Sequence, residues 1–181
     1  MDETYNKIVA FHGHSCPGLA IGYRMSKAGI DFLSNSRAED EEIVAIVEND
    51  ACGVDALQCI TGCTFGKGNL IFKDYGKHVY TIYDRKSGKG VRVVLKKDNI
   101  PENVLKDRDD LVDWILNTAE DNILSLSEAC MEEPEHAKII TSVKCDFCGE
   151  HVMESKTVNI NKKVACIPCG EQYGIDNNKK H

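Results

Sequence analysis

The chain has 181 residues, room for one sizeable domain and a small appendage, with 42% hydrophobic residues for a core and 28% charged residues for its surface. Its formal net charge of −7 argues against a general nucleic-acid or anionic-membrane binder, since both need a basic face. Nine cysteines, early acids in MDETYNKIVAFHG, and no run near the ~18 apolar residues of a membrane span predict a cytoplasmic protein whose thiols serve metal.

In chain order, Asp2 to Phe11 reads as a short helix with Asp2 as its cap and Tyr5, Ile8 and Val9 as its apolar stripe. Gly13 breaks it. Pro17 suits the first turn of a second helix running through Leu19, Tyr23, Met25 and Ile30, which puts Cys16 at a helix start. The exposed amides and dipole of such a terminus favour a thiolate. After the polar connection Ser34 to Glu42, IVAIV at Ile43 to Val47 reads as a buried strand. A helix starting near Ala51 then puts Cys52 in a first turn as well.

On that helix Cys52, Asp55 and Cys59 share a face. Seven steps of ~1.5 Å separate Cys52 from Cys59 by about 10 Å, too far for one ion with bonds of ~2.3 Å. Thr61-Gly62 is expected to end the helix and free Cys63 to turn back. Thr64 to Phe72 is a strand or extended turn, and His78 to Tyr83 with Val91 to Leu95 form a hairpin. From Pro101, one or two helices carrying Leu111, Trp114, Ile115, Ile123, Leu124 and Leu126 run to about Glu133, with Cys130 buried in them; Pro134 ends them. Ala137 to Val143 leads into the tail, and NNKKH frays.

In the tail, Cys145-Asp-Phe-Cys148-Gly and Cys166-Ile-Pro-Cys169-Gly are separated by seventeen residues. Two such knuckles close a tetrahedral zinc site of four cysteines, and VMESKTVNINKKVA between them alternates like a hairpin. A module this small draws much of its folding energy from the metal. It is a zinc ribbon or a treble clef, and EQYG as a terminal helix favours the clef. The expected architecture is α+β: a mixed helix and antiparallel-sheet core over 1–135 with a metal-binding cleft, and a zinc-finger module over 140–181.

For the cleft, His14 and Cys16 alternate along extended chain and both point at one ion, with Cys52 or Cys63 added to give a three- or four-ligand zinc site. Three protein ligands leave a position for water or substrate. Asp55 orients a ligating histidine or accepts a proton, and His12 moves protons or only packs at a helix end. Lys67, between glycines, receives an anionic or carbonyl group; GCTFGKG lacks the spacing of a Walker A loop. Cys59 is read as a packing residue, and His78, His136 and His151 as exposed.

FHGHSCPGLAIGYR at Phe11 to Arg24 and CGVDALQCITGCTFGKGNL at Cys52 to Leu70, with the hairpin and CxxC tail behind them, resemble the FmdE-like family of formylmethanofuran dehydrogenase subunits. The resemblance implies an α+β core, an intertwined homodimer, and a zinc finger appended in some members. It puts His14, Cys16, Cys52, Asp55, Cys63 and Lys67 around a cleft, and Cys59 where the family usually has an apolar residue. The family takes its name from a complex that reduces carbon dioxide onto methanofuran with a molybdenum or tungsten pterin. This chain carries no visible pterin-binding apparatus, so the resemblance implies an accessory subunit or a repurposed stand-alone relative. Three functions follow: a metal-binding protein whose cleft holds zinc and a small ligand, a stand-alone zinc enzyme acting on a small carbonyl or anionic substrate, or a metal sensor or delivery factor for a molybdenum/tungsten enzyme.

Overall fold

The computed structural model describes residues 2–34, 37–137 and 140–174. The chain divides into two compact units, Met1–Ala137 and Lys138–His181. None of the nine cysteines is in a disulfide.

In the first unit, helix α1 (Glu3–His12) begins at Asp2, whose carboxylate accepts from the Thr4 amide at 3.0 Å. It stops at Gly13, whose φ of 99° few other residues tolerate. Cys16 is extended, and Pro17 opens α2 (Pro17–Phe32). Strand β1 (Ile43–Val47) is buried at every position, and α3 (Gly53–Thr61) follows it to a left-handed cap at Gly62. Then come β2 (Leu70–Phe72), β3 (Val79–Asp84) and β4 (Lys89–Leu95). Asp107 caps α4 (Arg108–Asn117) by accepting from the amides of Asp109 and Asp110. The short α5 (Glu120–Ile123) runs directly into β5 (Leu124–Glu128).

The sheet order is β2-β1-β3-β4-β5. Every pairing is antiparallel except β1 with β2, where Ala45 faces Leu70 in parallel register. One hydrophobic cluster joins Ala45, Val47, Ile82 and Val93 of the sheet to Leu19, Met25 and Leu57 of the helices. Helix α2 lies directly on the strands: a methyl added at Gly29 would sit 2.6 Å from Ile82 Cδ1. It also meets α3 backbone to backbone. A Cβ at Gly22 would lie 2.2 Å from the Gly53 carbonyl oxygen, and one at Gly18 would lie 3.2 Å from Cys52 Cβ. Glycines set this crossing distance, because any side chain would push the helices apart.

Two expectations fail downstream of α4. Leu124 to Glu128 is a strand, not helix: LSLSE alternates with period two, and the free edge of β4 pairs with it from Leu95↔Leu124 to Val91↔Glu128. Cys130 is therefore exposed on irregular chain, not buried in an apolar helix. Residues 129–137 form a strap without regular structure. Arg85 holds it, donating to the Glu133 carboxylate (2.7 Å), the Pro134 carbonyl (2.6 Å) and the Glu135 carbonyl (3.1 Å), while Glu41 accepts from the Ala137 amide.

The second unit holds two hairpins, β6 (Ser142–Lys144) with β7 (His151–Met153) and β8 (Thr157–Ile160) with β9 (Lys163–Cys166), followed by α6 (Ile167–Gly174). Asn161 and Lys162 both take positive φ, as a two-residue hairpin turn of matching twist requires. Knuckle, hairpin and helix follow one another as in a treble clef. The NNKKH end and part of Ala137 to Val143 lie outside the described residues. Among the described residues, no helix is long and apolar enough to cross a membrane.

Candidate functional site

Both thiols of the cleft sit on helix caps, and the glycine crossing brings them together. Cys16 is the N-cap of α2, and its sulfur accepts from the Leu19 amide at 3.4 Å. Cys52 caps α3 in a helical backbone conformation with no side-chain capping bond, so its sulfur is left for another partner. His12, the last residue of α1, supplies the third group. The ligand atoms of His12, Cys16 and Cys52 all lie within 4.8 Å of one another.

Asp55 fixes the imidazole. Its Oδ2 is 2.7 Å from His12 Nδ1, while its Oδ1 accepts from Gln58 at 3.3 Å. With Nδ1 donating to the carboxylate, Nε2 keeps its lone pair and lies 4.0 Å from Cys16 Sγ. Tetrahedral zinc, with Zn–S of about 2.3 Å and Zn–N of about 2.0 Å, needs a sulfur–nitrogen edge of about 3.5 Å. The His12–Cys16 edge needs to close by about half an ångström, and all three ligand atoms already lie within 4.8 Å of one another, so these residues fit an ion with one coordination position left over. Burial first, and then the hydrogen bond to Cys16, push the Cys52 thiol up. Two adjacent thiols resist double ionisation, and a cation between them removes that resistance.

The other residues expected in the cleft fall outside this three-residue group. Cys63 is fully buried; its thiol donates to the Ile43 carbonyl at 3.3 Å and burial pushes it up to about 11. The Gly62 cap does turn the chain back, but into the core under β1. His14 is exposed, its ring 4.8 Å from that of His12, and it falls outside the three-residue group. The Lys67 ammonium reaches the Glu39 carbonyl at 3.4 Å. Cys59 is half-buried against the core. The helix break at Gly13 obscures His12 as a ligand in the sequence; its spacing of four to Cys16 is the one available signal.

In the second unit Cys145, Cys148, Cys166 and Cys169 also lie within 4.8 Å of one another. Cys148 and Cys166 sulfurs are 3.9 Å apart, against about 3.8 Å for the edge of a tetrahedron with 2.3 Å bonds. Gly149, at φ 78°, lets its amide turn back to the Cys145 carbonyl (3.0 Å). Asp146 clamps β9 by exchanging bonds with Val164 at 2.7 and 2.8 Å. Phe147 stacks on Tyr173 at 5.1 Å. Amides of Cys148 and Cys166 hold the Cys145 thiol down to about 6, whereas the neighbouring Cys166 pushes Cys169 up to about 12. Four sulfurs complete the shell of one ion and leave no position for a substrate.

The family model described as "FmdE, Molybdenum formylmethanofuran dehydrogenase operon" matches residues 11–144. A relative from Archaeoglobus fulgidus, called a probable S-adenosyl-L-methionine-binding protein, is 32% identical over 191 aligned positions. The match covers 90% of this chain and 51% of the relative, so the chain spans about half the length of the curated protein it matches. A crystal structure of a tungsten formylmethanofuran dehydrogenase FmdE-like protein from Syntrophus aciditrophicus is similar at a TM-score of 0.70 and 28% identity, over 92% of this chain and 90% of that one.

Proposed function

The chain belongs to the FmdE family, and from that premise we propose that it is a zinc protein with two unlike sites. His12, Cys16 and Cys52 hold an open zinc that takes a small ligand, and Cys145, Cys148, Cys166 and Cys169 hold a structural one. The observation that carries the reading is the Asp55–His12 bond at 2.7 Å, which turns Nε2 toward two thiols already gathered by the helix crossing. Zinc bound there supplies a Lewis acid with a vacant position. The chain's own part is to hold the imidazole tautomer through Asp55 and to fix the sulfur spacing through Gly18, Gly22 and Gly53.

The open position also favours a second reading, a stand-alone zinc enzyme. In it His12 acts as a ligand, so Asp55 is left as the group able to hold a proton, and Lys67 is not needed. The cytoplasmic location, the homodimer, and association with formylmethanofuran dehydrogenase or other molybdenum/tungsten enzyme subunits belong to the same proposal. Support comes from the thiol chemistry for the first, from the sequence resemblance for the second, and from the operon in the family's description for the third.

Elemental analysis of the purified full chain tests the two-site reading. The expected content is two zinc ions per chain, falling to one in Cys16→Ser, where serine still caps α2, and to one in Cys145→Ser. Loss of both ions in either variant, or one ion in the unaltered chain, overturns it.

A further inference from the structure

Beside the His12–Cys16–Cys52 group, a cavity of about 340 Å³ opens onto His12 and Cys52. Two phenyl rings line it and remain uncovered, Phe65 at 64% and Phe72 at 39% exposure, with Val47 and Val54 behind them. Its charged lining groups are Asp50 and Asp55; no lysine or arginine lines it. Asp55 is spent on His12 and Gln58. Asp50 has no hydrogen-bond or ion-pair partner among the described residues and is exposed.

We infer that this cavity receives a flat ring compound bearing a cationic or hydrogen-bond-donating nitrogen, the ring against Phe65 and Phe72 and the nitrogen at Asp50. Aromatic walls favour a planar partner by stacking and a cation by the ring quadrupole. The two thiolates offset the charge of a bound zinc ion, so Asp50 and Asp55 leave this cavity net negative and disfavour anions. The pull of Lys67 toward Glu39 removes the group that would have welcomed one. A compound of this class lies beside the open coordination position, so the inference deepens the proposed zinc site and rests on it for the ligand's neighbour.

The test pairs two probes of the same ring and opposite charge, benzamidine and benzoate, titrated by calorimetry into the full chain, with zinc measured on the same samples. Benzamidine is expected to bind saturably, and about tenfold tighter than benzoate. Phe65→Ala, a surface change, is expected to weaken it about tenfold, and Asp50→Asn about threefold while erasing most of the charge preference. Equal or tighter benzoate binding, or no effect of either variant, overturns the inference. So does a Phe65→Ala variant that changes only the oligomeric state by light scattering, which gives the rings to a second copy of the chain. The zinc reading fails separately. Benzamidine binding with these dependences in protein lacking cleft zinc removes the metal and keeps the cavity, while full zinc without the charge preference does the reverse.

Discussion

Replacing Gly22 by alanine tests whether the helix crossing positions the cleft ligands. The new Cβ would stand 2.2 Å from the Gly53 carbonyl oxygen and 2.3 Å from its Cα, both backbone atoms that cannot rotate away. Ordinary contact begins near 3.4 Å, so α2 and α3 must separate by about 1.2 Å. Overpacking of this kind costs about 1–3 kcal/mol, offset by the ~0.5–1 kcal/mol that alanine gains over glycine inside a helix. A net loss of about 0.5–2 kcal/mol lowers the melting temperature by roughly 1–8 °C in a chain of this size. Separation also spoils the Cys16–Cys52 spacing by a large fraction of a bond of ~2.3 Å, so cleft zinc binds at least about tenfold more weakly. Gly29→Ala is the matched control, because its Cβ meets the movable end of the Ile82 side chain at 2.6 Å. Competition with a chelator reads the affinity, and scanning calorimetry reads the stability. A Gly22→Ala protein with full cleft zinc and unchanged melting temperature would refute the argument, as would equal zinc loss in Gly29→Ala.

Asp55→Ala is expected to weaken cleft zinc about 10- to 100-fold by releasing the His12 tautomer, with Asp55→Asn retaining part of it; chelator competition checks both. Cys63→Ala should keep the cleft ion and lose about 1–2 kcal/mol in denaturant unfolding, and His14→Ala should change neither, so zinc loss in either would restore that residue to the ligand set. Zinc binding by the Cys145–Cys148–Cys166–Cys169 site should weaken as pH falls, because thiols such as Cys169, pushed up to about 12, must release their protons to water in order to ligate the ion. Cys145, held down to about 6, is ionised above that value and protonated below it, so the pH slope should steepen by one proton below about pH 6. An affinity that stays flat between about pH 5 and about pH 8 would contradict this.

The caps and the central strand are legible in the sequence because they are local. Asp2, Pro17, Gly13 and Gly62 act on the residues beside them, and IVAIV needs only its own composition to declare a buried strand. The CxxC tail is legible for the same reason. Leu124 to Glu128 reads wrongly as helix because its period-two alternation lies directly behind a helix and takes its meaning from the open edge of β4. The cleft is half legible. Cys16 and Cys52 announce themselves as helix starts, but the choice of His12 over His14 depends on Asp55 arriving from a helix forty-three positions away. Cys63 looks like a ligand because the chain reverses at Gly62, and only the packing under Ile43 reveals the direction of that reversal.

Arg85 and Glu41 together hold the strap over 129–137. Arg85 makes three of the strap's hydrogen bonds and Glu41 two more, and the strap's own residues are mostly exposed, so unlatching it uncovers little apolar surface. Opening there is a local event with a free energy well below that of melting the sheet. Amides between Cys130 and Glu135 therefore trade their hydrogens with water long before those of β3 and β4, and among the described residues this leash offers a protease a stretch of irregular, mostly exposed backbone.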